Sequence, residues 1–83
     1  MPVVEYKSKP VTQRYEAKAK NLLKGELKRR GVSYKQLAEK LAELGVQETE
    51  RNLNNKISRG GFTTAFFIEC LEAIGCSEIN LNV

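Results

Sequence analysis

The stretch Gly31-Val32-Ser33-Tyr34-Lys35-Gln36-Leu37-Ala38 constrains the fold of this chain more than any other. Glycine supplies the left-handed backbone that stops a helix. Ser33 then stands ready to cap the next helix, and Gln36 completes a reciprocal capping box with it. Val32 and Leu37 flank the cap at the positions of a hydrophobic staple. One helix therefore ends and another begins within a tight corner, so the two must cross.

The apolar periodicity on either side agrees. Upstream, Tyr15, Ala19, Leu22, Leu23 and Leu27 keep the spacing of a single buried stripe. This predicts a helix capped by Thr12 and running to Arg30. Gly25 weakens it by about 1 kcal/mol relative to alanine, and Lys28, Arg29 and Arg30 occupy the last turn, where the helix dipole favours cations. Downstream, Leu37, Ala38, Leu41 and Leu44 form the stripe of a second helix that Gly45 ends, and Val46 plugs the core from below. A third helix is expected from near Glu48 to near Ser58, with Thr49, Leu53 and Ile57 inward. Thr63 caps a fourth, with Phe62 and Phe67 at staple positions, and Phe66, Phe67, Cys70, Leu71 and Ile74 build its apolar face up to Gly75.

The two ends of the chain look different. Residues 1–11, with Pro2 and Pro10, suggest an extended arm ahead of a domain over 12–83. The tail Glu78-Ile79-Asn80-Leu81-Asn82-Val83 alternates apolar and polar residues, a strand pattern. An isolated strand is unstable, so this segment is expected to pair with the arm or with its copy in a second subunit. The expected fold is mainly α, a four-helix bundle with a short pairing of terminal strands. Its 83 residues make one domain. Such a chain buries only roughly 60% of its unfolded surface, which favours a homodimer.

Composition removes several function classes. The chain has no histidine, no CxxC and no glycine-rich phosphate loop, so neither a zinc site, nor a cofactor, nor an enzyme acting on a small-molecule substrate is expected. Cys70 lies within the apolar stripe of the fourth helix and is expected in the core. Cys76 follows that helix and is expected to be partly exposed. This cysteine usage suits a reduced, cytoplasmic protein. The longest apolar run, Ala65 to Ile68, is too short to span a membrane, and the N-terminus lacks the apolar core of a signal peptide.

Charge is unevenly spread. Residues 1–30 carry nine Lys/Arg against three Glu, whereas residues 31–83 carry five against seven, out of a net +4. A basic arm or face of this kind can track phosphates, and it can equally be a solvated helix surface.

The third helix is a poor intrinsic helix former, because asparagine competes with the backbone for hydrogen bonds. On a wheel of 100° per residue, Leu53 and Ile57 inward leave Arg51, Asn55 and Ser58 outward, flanked by Asn52 and Arg59. Asn54 and Lys56 fall at the margins, where the Lys56 stem can cover core. Arginine and asparagine make paired hydrogen bonds to guanine and adenine edges, and the major groove admits one helix. Arg51, Asn52, Asn55, Ser58 and Arg59 are therefore the candidates for base or groove contact. Tyr34 and Lys35 at the second helix's start, and Thr63 and Thr64 at the fourth's, are candidates for positioning phosphates, which helix N-termini bind. Capping alone would account for Thr63, and core packing for Tyr34. Lys18 is expected to contact phosphate without regard to sequence.

Leu27 through Ile74 resembles the lambda-repressor-type (Cro/C1) helix-turn-helix family, through Gly31-Val32-Ser33, Gln36-Leu37-Ala38, Gly45-Val46, Ile57-Ser58-Arg59-Gly60 and Leu71 to Gly75. The whole chain is also similar to small uncharacterised bacterial proteins grouped as a domain of unknown function. The first resemblance implies a recognition helix over 48–58 in the major groove of double-stranded DNA, dimers on paired half-sites, and a regulator of transcription. Three features differ from that family. Tyr34 stands where it usually has glutamine, the span from Val46 to Gly60 is longer by roughly three residues than the family norm, and Glu43, Glu48 and Glu50 lie near the expected DNA face. Two other readings stay open: a helical protein-interaction module, antitoxin-like or phage-borne, that has lost DNA binding, and RNA binding by the arm with Tyr6 and Tyr15.

Overall fold

The computed structural model describes residues 10–82, and over that span four helices follow one another: α1 (Pro10–Arg30), α2 (Tyr34–Glu43), α3 (Glu50–Arg59) and α4 (Thr64–Ala73). Pro10, not Thr12, begins α1. A proline at a first helical position loses nothing, because its missing N–H would have no partner there and its φ is already helical. The expected arm thus gives up its last two residues to α1, and the rest of it lies outside the described residues.

α1, α2 and α4 end in the same way. Gly31, Gly45 and Gly75 take positive φ, and each is followed by an apolar residue whose N–H reaches back to the previous helix. Val32 donates to the Leu27 carbonyl (2.9 Å), Val46 to Leu41 (2.9 Å) and Cys76 to Leu71 (2.8 Å). The glycine N–H groups take the carbonyls of Lys28, Ala42 and Glu72. This double closure satisfies carbonyls that a helix end leaves open and folds the apolar follower back onto the helix it ends. Val32, Val46 and Cys76 all pack on the core. Cys76 is accordingly buried rather than partly exposed, and its thiol donates to the Glu78 carbonyl at 3.0 Å.

The helix starts are capped by side chains. Ser33 accepts from the Gln36 N–H (3.1 Å) while the Gln36 side chain accepts from the Ser33 N–H (2.9 Å), the expected capping box. Thr63 caps α4 through the Phe66 N–H, and Phe62 stacks on Phe67 with centroids 5.9 Å apart, the expected staple. α3 starts later than expected. Thr49 is exposed and serves as its N-cap, accepting from the Asn52 N–H, instead of pointing inward. The connection Leu44–Thr49 is lengthened accordingly.

α1 and α2 each pack on both α3 and α4. Leu23 of α1, Leu37 and Leu41 of α2, Leu53 and Ile57 of α3, and Cys70 of α4 are wholly buried at the centre. Each aliphatic side chain so buried contributes about 1.5–3 kcal/mol. Two stripe residues are not core. Tyr15 is 65% exposed, because the corner after α3 meets α1 at Glu16 and Lys20 and leaves the Tyr15 side uncovered. Leu44 is 50% exposed, since the turn at Gly45 sends Val46 into the place it would have filled.

No strand occurs among the described residues. Ile79 packs on the core, and the Asn80 side chain accepts from the Asn82 N–H at 2.8 Å. That local turn takes up a donor a ladder would have needed. The expected pairing with the arm involves residues 1–9, outside the described span. The charged side chain that periodicity overlooked is Glu26, buried on α1 with its carboxylate bonded by Arg29 (2.7 Å) and Arg30 (3.3 Å). Arg30 also reaches the Ile74 carbonyl, tying the end of α4 to α1. No helix among the described residues is long and apolar enough to cross a membrane.

Candidate nucleic-acid interface

α3 is held by two side chains. Leu53 and Ile57 are wholly enclosed, one turn apart, so the helix cannot roll without exposing one of them. Every group on its other side follows from that. Arg51, Asn52, Asn55, Ser58 and Arg59 are all exposed, and so is Asn54. Among the described residues neither Arg51 nor Arg59 is in an ion pair. The Ser58 hydroxyl donates to the Asn54 side chain at 3.2 Å, which orients that amide.

Lys56 behaves as its marginal position suggested. Its stem crosses the edge of the core, and its ammonium lies 5.0 Å from the centre of the Phe66 ring and pairs with the Glu48 carboxylate. Glu48 was expected near the DNA face as a repelling charge. Its side chain is only 9% exposed and is neutralised by Lys56. Glu43 and Glu50 remain exposed.

Two hollows join along α3. Asn52, Asn55, Lys56, Ser58 and Arg59 line one of about 490 Å³. Lys56 and Arg59 also line the next, of about 180 Å³, with Gly61 and Thr63 at the start of α4. Four of the five groove candidates are thus gathered around one depression, and one of them adjoins the α4 N-terminus. Arg51 lies outside both hollows. The Thr63 hydroxyl is taken by its cap, leaving backbone N–H groups and exposed Thr64 as that helix end's free donors.

At the start of α2, Tyr34 is half-buried against the core, and this burial raises its hydroxyl pKa. A third hollow brings Tyr34 and Ser33 together with Lys24 and Lys28 of α1. These two lysines were missed in the sequence, where they looked like part of a diffuse basic helix. Their four-residue spacing, on the side of α1 that meets the α2 cap, was the available signal. Lys35 is exposed beyond this hollow. Lys18 lines a different groove, on the outward side of α1.

Burial pushes the Cys70 thiol up to about 12, helped by the negative Glu69 and Glu48 and opposed by Lys56. It is a core group and lends no nucleophile to the surface. A family model described as a domain of unknown function (DUF6471) matches residues 15–79, a span that takes in most of α1 and all of α2, α3 and α4. No curated protein and no solved structure matches the chain.

Proposed function

For this chain, which belongs to the DUF6471 family, we propose sequence-specific binding of double-stranded DNA, as a small regulator of transcription of the lambda-repressor-like helix-turn-helix kind. α3 is the recognition helix. Asn52 and Asn55 read adenine edges, Arg51 and Arg59 read guanine edges or adjoining phosphates, and Ser58 holds Asn54 in place beside them. Lys24, Lys28 and Lys35, with the first N–H groups of α2, position one phosphate run. Thr64 and the α4 N-terminus position another. Two copies bind paired half-sites.

The observation that carries this reading is the division of α3. Its apolar pair is wholly enclosed, and its amides and its guanidinium groups, in no ion pair among the described residues, face water. An ordinary solvated helix gains stability from Ala, Glu and Lys, and three asparagines in five positions work against it. That cost is reasonable for a surface used to recognise hydrogen-bonding edges.

Selection from a random duplex library at physiological salt tests it. One enriched motif is expected. Asn55→Ala and Arg51→Ala should each change the motif at one position, costing about 1–3 kcal/mol of discrimination. Lys24→Ala or Lys28→Ala should weaken all sequences alike and lower the salt slope by about 1. Recovery of no motif would turn the assignment toward the second reading, a protein-interaction module. The exposed Val11, Tyr15, Ile68 and Leu81 favour that reading.

A further inference from the structure

Four of the five large apolar side chains exposed among the described residues lie on α1, α4 and the tail: Val11, Tyr15, Ile68 and Leu81. They come with charge of two signs in adjacent stripes. On α1, residues 10–21 include no member of the core cluster, and Val11, Arg14, Tyr15 and Lys18 keep the three- and four-residue spacing of one stripe. On α4, Ala65, Ile68 and Glu72 repeat along the exposed side, with Glu69 beside them. Among the described residues Arg14, Lys18, Glu69 and Glu72 are in no ion pair.

The two stripes share one side of the bundle. The α1 groove, about 660 Å³, has Ala17, Leu22, Gly25 and Glu26 in its walls. The α4 hollow, about 590 Å³, has Ile68, Leu71 and Cys76. Cys76 and Ser77 line the α4 hollow and Asn80 lines the α1 groove, so the tail runs from one to the other. Residues 10–21 of α1 span about 18 Å and α4 about 15 Å, a matched pair of helix lengths.

Gly25 adds a separate indication. It sits inside α1, where glycine costs about 1 kcal/mol against alanine. A Cβ there would meet only the Arg29 guanidinium, at 4.0 Å, so nothing in the chain's own packing requires its absence. A glycine in the lining of a groove permits close approach of another backbone.

We propose that this side of the bundle pairs two copies of the chain, α1 of each lying against α4 of the other. A surface with a basic stripe beside an acidic one is complementary to itself under a two-fold rotation, which sets each stripe over its opposite. A nucleic acid is the poorer occupant, because the acidic stripe beside the groove repels phosphate. The proposal deepens the pairing of copies put forward above, and it does not depend on what α3 touches.

Sedimentation equilibrium of the full chain tests it. The wild type is expected to reach twice the chain mass at about 100 µM, with a dissociation constant at least about tenfold weaker at 500 mM than at 50 mM salt. Two double variants keep the test independent of folding, since all the altered side chains reach solvent. Arg14→Glu with Lys18→Glu reverses the basic stripe, and Glu69→Lys with Glu72→Lys reverses the acidic one. Each alone should stay a monomer with unchanged helical circular dichroism, and an equimolar mixture should regain the dimer mass. A wild type that stays monomeric throughout overturns the proposal. So does a charge-reversed variant that pairs as well as the wild type, or a folded mixture that does not pair. A monomer that still enriches a DNA motif sinks this proposal alone. A dimer that enriches none sinks the DNA reading alone.

Discussion

Gly60→Ala is the single-methyl change to which this fold should be most sensitive, and Gly75→Ala is its control. Both glycines have φ 77°, where a Cβ is strained. At Gly75 nothing lies within 4 Å of the added Cβ. The cost there is the left-handed penalty alone, about 1–2 kcal/mol. At Gly60 the Cβ would sit 2.9 Å from the Glu16 carbonyl oxygen and 3.4 Å from the Lys20 Cβ. Backbone of a 21-residue helix cannot swing aside as a flexible side chain would. The corner between α3 and α4 must lift off α1, at an overpacking cost of about 1–3 kcal/mol. Gly60→Ala should therefore lose about 2–5 kcal/mol in all, a large part of the roughly 5–10 kcal/mol that holds a domain of this size. Urea unfolding followed by circular dichroism measures both variants. The midpoint of Gly60→Ala should fall further, with m unchanged. The gap in melting temperature should be roughly 8–16 °C, from about 2 kcal/mol at 4–8 °C each. Equal losses at the two positions would refute the claim that the α3–α4 corner is pressed against the α1 backbone.

Lys56→Ala should cost about 1–3 kcal/mol, because it strands the enclosed Glu48 carboxylate, whereas Arg59→Ala, at an exposed side chain without an ion pair, should stay within about 0.5 kcal/mol by the same unfolding assay. The Glu26 carboxyl is held below its ordinary value of 4.5, chiefly by the hydrogen bond from Arg29, against the opposing effect of desolvation. A folded-state pKa below the unfolded one contributes stability above the unfolded value, lost as pH falls through the folded one. The urea midpoint of the wild type should therefore drop on acidification below about pH 4.5, and Glu26→Gln should flatten that drop. In the native protein the Cys70 thiol, pushed up to about 12, should react with a disulfide reagent near pH 8 only as fast as the fold opens. Labelling as fast as in urea would contradict its place in the core.

Local chemistry was legible along most of the chain. Ser33 with Gln36, Thr63 with Phe66, and the stacked Phe62 and Phe67 are short-range arrangements specified by neighbours in sequence, and they occur where residue types placed them. The same holds for Leu53 and Ile57, whose spacing already divided α3 into an apolar side and an amide-rich one. What was misjudged depended on distant partners. The tail's alternation suits a strand, but a strand needs a neighbour, and Asn80 closes a turn on Asn82 instead. Tyr15 keeps perfect helical spacing with the core residues, yet the packing leaves its side of α1 uncovered.

Helix number, the glycine stops and the two-sided character of α3 were thus determined by the sequence itself, because left-handed glycine and 3.6-residue periodicity act over a few neighbouring residues. Tertiary structure alone decided which charges are spent and which are free. Glu26 and Glu48 are drawn under the surface by Arg29, Arg30 and Lys56, whereas Arg14, Arg51 and Arg59 stay in water. The reason is that an ion pair's partner is chosen by distance in space, which only the packed helices establish.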